Sequence, residues 1–293
     1  MNLLKNGGLC QMELAQAITK LDALQRKMFA YNHAMGVLYY DGATAAPAGS
    51  AANRGETMAV LSEAEYLMAT GPEMIDLLDF LYAHNDELTQ KQRRIVEMLR
   101  KDLAELRCIP QEEYAAASKL MAESTAAWHE AKPRSDFSIF APYLEKVIET
   151  KKRFAHYVKP DIDSYEYYLD TYEPGLTRRK CDEFFAALRA RVVPLLKRVQ
   201  AARQVDASFL TGDFPLEAQR KLSDELMEIM RIDRSFCSIG ETEHPFTTNF
   251  TKRDVRITTH YYPDNAVSSM YSVIHEGGHA LYELHTADED MYN

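Results

Sequence analysis

From Met12 to about Tyr39, apolar residues recur at Leu14, Ala17 and Ile18, Leu21, Leu24 and Met28, the three-and-four spacing of a single helix face. The same period predicts further helices over about 55–70, 73–84, 88–107, 111–131, 137–157, 178–204 and 215–230. Breaks are expected at Gly71-Pro72, Asn85-Asp86, Ile109-Pro110, Lys132-Pro133, Pro174-Gly175 and Gly212. Residues 41–53, rich in Gly, Ala, Pro and Ser, read as a loop. Pro194 falls inside a helical stretch and predicts a kink or break. After Ser235 the pattern changes. Asp254 to Tyr262 is β-branched and aromatic, which reads as a strand with Val255, Ile257 and Thr259 on one face and Asp254, Arg256 and Thr258 on the other. Helical spacing resumes near Ala266 and runs through Tyr282 or beyond.

The pattern gives a mostly α protein with a small β element, 235–262, just before its last helix. Gly and Pro together number 23 of 293, too few for a sandwich or barrel with frequent turns. A net charge of −10 argues against nucleic acid, whose binders carry a basic face. Cys10, Cys108, Cys181 and Cys237 are scattered and form no CxxC, which reads as reduced thiols in the cytoplasm. The N-terminus carries no apolar secretory core, and the longest uncharged apolar stretch, Met28 to Tyr40, is too short to span a bilayer. No repeat or linker divides the chain, so 1–293 reads as one domain, with its chemistry in 235–293.

That chemistry is the run His275-Glu276-Gly277-Gly278-His279. On a helix, residues four apart lie on one face, so both imidazoles reach a single ion. Zinc accepts two such nitrogens, and Glu276 sits where it can take a proton from water. With 9 histidines in the chain, an HExxH run is rare by chance. Each internal glycine costs the helix about 1 kcal/mol against Ala, so a close approach of backbone or strand to that helix face is expected.

The order His244-Pro245-Phe246, Asp254-x-Arg256-x-Thr258 and His275 to His279 resembles the HPF, DxRxT and HExxH motifs of the carboxypeptidase Taq family. Leu169-Asp170-Thr171-Tyr172-Glu173-Pro174-Gly175 resembles its LD-x-YEPG segment. Tyr40-Asp41, Pro47 and Arg54-Gly55-Glu56 resemble its WD…P…RxE pattern, with Tyr40 in place of the usual Trp. The likeness covers essentially the whole chain. It implies long helices walling a groove, with a metal at its floor. Zinc, or another divalent ion such as cobalt, would sit on His275 and His279, with Glu276 as catalytic base. His244, Asp254, Arg256 and Thr258 would line or support the substrate cleft. The substrate would be a peptide, shortened from its C-terminus, and the full-length form a homodimer.

The family's third ligand is a glutamate on a later helix, and this sequence ends 14 residues after His279. The resemblance therefore implies a domain incomplete at its C-terminus, holding zinc loosely and turning over little. The other reading is a catalytically silent truncated homologue, acting only as a helical structural or interaction fragment. Glu283, about 6 Å further along the helix than His279, reads as an ordinary helix carboxylate. Glu289 or Asp290 could fold back as donors. Arg256 could pair with Asp254 or hold a peptide carboxylate. His260, where the family has Arg, is a departure. Trp128 and the tyrosines Tyr165, Tyr167, Tyr168 and Tyr172 read as packing, and Lys151 to Arg153 as a solvated helix face.

Overall fold

The computed structural model describes residues 13–210 and 212–287. The chain forms two compact units. One combines the chain up to Leu88 with the chain from Val205 onward; the other is Thr89–Gln204.

In the first unit, α1 (Leu14–Thr44) packs on α2 (Ala51–Thr70) and α3 (Pro72–Ala83). Pro72 opens α3, where a missing N–H costs nothing. The expected loop at 41–53 is shorter than the sequence suggests, because α1 continues to Thr44 through Gly42. A Cβ at Gly42 would lie 2.6 Å from Arg54 Nε, so this glycine makes room for a guanidinium and does not start a turn.

The second unit holds α4 (Gln90–Cys108), α5 (Gln111–Arg134), α6 (Phe137–Val158), α7 (Ser164–Tyr172) and α8 (Arg178–Ala201). Thr89 and Gln92 close a capping box on α4. The short α7, capped by Asp163, is absent from the periodicity reading. Its run of aromatic residues has weak helix propensity, and the tertiary bond from Tyr167 Oη to Glu105 (3.0 Å) helps to hold it. No break occurs at Pro194: α8 runs through it. Residues 182–200 are exposed, so water can bond the carbonyl that the proline leaves without a partner.

The first unit resumes with α9 (Leu216–Ile229), β1 (Cys237–Glu241), β2 (Thr247–Thr251), β3 (Asp254–Thr259) and α10 (Ala266–Leu284). The sheet order is β1-β3-β2, with β1 parallel and β2 antiparallel to β3. The central strand is covered on both sides. Val255 and Ile257 join Met227, Ile232, Cys237, Val273 and Ala280 in the core under α10. On the opposite face, Tyr40 from α1 lies against Arg256 and Gly240. α10 packs against α9, β2 and β3. A Cβ at Gly277 would come within 2.7 Å of the Met230 methyl, so the close neighbour is a side chain and not the backbone or strand expected from the sequence; nothing lies within 4 Å at Gly278.

Cys108, Cys181 and Cys237 are free thiols, and Cys10 lies outside the described residues. No helix among the described residues is long and apolar enough to cross a membrane.

Two outcomes are expected. Gly278→Ala gains about 1 kcal/mol in urea unfolding, while Gly277→Ala falls at least about 1 kcal/mol below it, because Met230 must give way. Burial pushes the Cys237 thiol up to about 11. The fold keeps that proton longer than the unfolded chain does. The stability it contributes is complete below pH 9 and is lost as pH rises through about 11. Urea midpoints measured across that range should fall less steeply in Cys237→Ala than in the parent.

Candidate active site

The buried stripe of α10 is Ser269, Val273, Glu276, Gly277 and Ala280. At 100° per residue, that seating turns His275 and His279 outward together. Both are exposed, their Nε2 atoms lie 3.3 Å apart, and their rings are nearly perpendicular at 83°. Nitrogens held about 2.0–2.1 Å from one tetrahedral ion lie about 3.3–3.4 Å from each other. The imidazole pair fits two corners of such a site. Among the described residues, no group of three or more His, Cys, Asp or Glu side chains converges. Glu283 is tied elsewhere: its Oε2 accepts from Asn249 Nδ2 at 2.7 Å. Glu289 and Asp290 lie outside the described residues.

Glu276 is only 8% exposed, and its Oε2 accepts a hydrogen bond from Thr247 Oγ1 at 2.5 Å. The same hydroxyl lies 3.1 Å from the Glu276 carbonyl oxygen. Thr247 was not among the sequence-predicted residues.

The motif residues of the sheet serve one another. Arg256 donates from Nε and Nη2 to the two carboxylate oxygens of Asp254, both at 2.9 Å. These bonds raise the Arg256 pKa above the usual guanidinium range. Its guanidinium also lies 5.0 Å from the Tyr40 ring centre and 4.9 Å from that of Phe250. Burial raises the Tyr40 phenol, opposed by a hydrogen bond with Ser238. His33 stacks on Phe250, with ring centres 5.1 Å apart. Of the two roles open to Arg256, pairing with Asp254 is the one formed here.

Thr258 is fully buried and organises the turn before β2. Its Oγ1 accepts from the Phe246 N–H at 2.9 Å and from Thr242 Oγ1 at 2.7 Å. Thr242 Oγ1 also lies 2.9 Å from the His244 carbonyl. The His244 side chain is left exposed at the tip of this turn. His260 Nδ1 lies 2.9 Å from the Thr242 carbonyl, so the departure from Arg puts an imidazole against the same turn.

In the second unit, Tyr168 donates to the Lys151 carbonyl, and Arg178 stacks on Tyr165, which is packing chemistry. Asp170 accepts the Gly175 N–H at 2.9 Å and Lys180 Nζ donates to the Gly175 carbonyl at 2.7 Å, shaping the Tyr172-Glu173-Pro174-Gly175 turn. A cavity of about 160 Å³ between α5 and α6, lined by Tyr114, Leu120, Met121, Val147 and Phe154, contains none of the motif residues.

The family model described as Carboxypeptidase Taq (M32) metallopeptidase matches residues 20–293. Carboxypeptidase 1 of Bacillus subtilis (strain 168) is 36% identical over 261 residues, 89% of this chain and 52% of the relative. Thermostable carboxypeptidase 1 of Pyrococcus furiosus is 32% identical over 286 residues, 94% of this chain and 56% of the relative. The crystal structure of BsuCP superposes with a TM-score of 0.90 at 34% identity, over 94% of this chain and 56% of that one. The Trypanosoma cruzi metallocarboxypeptidase 1 structure gives 0.80 at 27%, again over 94% and 56%. The chain thus spans about half the length of the curated relatives it matches.

Because a lysine offers neither the fork for Asp254 nor the flat face for Tyr40 and Phe250, Arg256→Lys should cost about 1–3 kcal/mol in chemical unfolding.

Proposed function

This chain belongs to the carboxypeptidase Taq (M32) metallopeptidase family, and we propose that its imidazole pair and buried glutamate serve the release of C-terminal residues from peptides. The observation that carries this reading is the 3.3 Å approach of His275 and His279 Nε2, with the Glu276 carboxylate one residue away on the inner side of the same helix. The names of the relatives favour it over a silent helical fragment.

His275 and His279 are the residues that would hold a divalent ion, which we take to be zinc. When bound, zinc polarises the scissile carbonyl and lowers the pKa of water. Glu276 accepts the proton of the attacking water at Oε1, the oxygen that Thr247 does not occupy, and returns it to the leaving amine. The Asp254–Arg256 pair and the Thr258 hydroxyl keep the strand and the His244 turn in place beside α10. A catalytic zinc site takes three protein ligands; we assign the third to a donor outside the described residues. Two imidazoles alone hold the ion loosely and exchange it quickly with buffer. Free thiols agree with a cytoplasmic setting, and the homodimer implied by the family is testable by sedimentation.

Metal analysis after dialysis and a carboxypeptidase assay, both on the full-length form, decide the reading together. His275→Ala and His279→Ala should each lower zinc retention by tenfold or more, on the order expected for loss of a ligand. Glu276→Gln should leave zinc content near that of the parent and lower hydrolysis by at least about 100-fold. A Glu276→Gln variant that keeps most of its activity would overturn the assignment of the base.

A further inference from the structure

Strand β2 turns the same face toward α10 at Thr247 and Asn249, two residues apart in the pleat. Thr247 Oγ1 meets Glu276 Oε2 at 2.5 Å and Asn249 Nδ2 meets Glu283 Oε2 at 2.7 Å. Glu276 and Glu283 are seven residues apart, nearly two helical turns, and so share one face of α10. A third link closes the strand's far end, where Lys252 Nζ donates to the Thr286 carbonyl at 3.0 Å. The sheet therefore grips the helix by its carboxylates as well as by its apolar stripe.

From this juxtaposition we propose that Thr247 is a positioning residue for Glu276: its hydroxyl fixes which carboxylate oxygen faces the reaction and which faces the strand. The inference rests on the peptidase reading for its catalytic consequence and on geometry alone for the hydrogen bond. A glutamate has three side-chain torsions to fix, and ordering them costs entropy. Threonine is stiff at χ1, so its donor points in a set direction. Its backbone is held by pairing of Thr247 with Ile257 on the central strand. The 2.5 Å separation places the hydroxyl within hydrogen-bonding distance of that oxygen. The other oxygen, Oε1, is left to meet water. Thr247 touches neither imidazole, so its effect on metal content and on substrate binding is small.

The test uses Thr247→Val, which keeps the shape and removes the donor, and Thr247→Ser, which keeps the donor. In peptide hydrolysis by the full-length form, Thr247→Val should lower kcat about 10–100-fold with KM within about twofold and zinc content unchanged. Thr247→Ser should recover most of kcat. A Val variant with the parent kcat, or a Ser variant as slow as Val, overturns the proposal. A second readout needs no turnover. Urea midpoints of Thr247→Val, Glu276→Ala and the double variant should be non-additive, the double shifting little further than the more damaging single. Additive shifts overturn the proposal. A full-length parent without measurable turnover sinks the peptidase reading alone, and the midpoint cycle then decides whether Thr247 holds Glu276.

Discussion

The site depends on how α10 is seated. Within five residues the helix must turn two imidazoles to the outside and a carboxylate and a glycine to the inside. The stripe Ser269, Val273, Glu276, Gly277 and Ala280 does this by lying on β3 and α9. A rotation of the helix by one residue, 100°, would carry His275 and His279 into the buried places of Glu276 and Ala280. The contact of Gly277 with Met230 and Ile232 works against such a rotation, since a side chain there would hold the helix off its bed. The hydroxyl of Thr247 and the amide of Asn249 oppose it from the strand side.

Around that seat, the polar residues of the sheet are used chiefly on each other. Asp254 takes up two donors of Arg256, and the guanidinium fills the space between Tyr40 and Phe250. Thr258 takes the Phe246 N–H in a fully buried position, where an unpaired amide would cost about 1–3 kcal/mol. The short motifs therefore describe a scaffold as much as a reaction centre. They set the height and tilt of the strand from which Thr247 reaches the helix.

What the sequence made legible was local. The imidazole spacing, the strand faces and most helix spans follow from periodicities that a few neighbouring residues determine. Thr247 was invisible because its partner is 29 positions away and nothing in Thr-Thr-Asn-Phe announces a carboxylate. Gly42 misled for a related reason: glycine normally punctuates a helix, but here a guanidinium fills the space beside it. The break open at Pro194 does not form, because solvent relieves the carbonyl the proline leaves without a partner. The nine residues of α7 carried too little apolar periodicity to be seen, and tertiary bonds make up the difference.

The first unit is assembled from both sides of an intervening stretch, and this bears on its synthesis. Tyr40 and Arg256, which stack in the finished fold, are separated by more than 200 positions. At translation rates of about 5–20 residues per second, α1 emerges on the order of 10–40 s before the strand that covers it. During that interval the Leu77, Leu78 and Leu81 side of α3 can already pack with α1, whereas Tyr40 has no sheet to meet. The nascent chain thus carries a half-built apolar surface through the making of α4 to α8, which is the period in which a chaperone would be of most use to it.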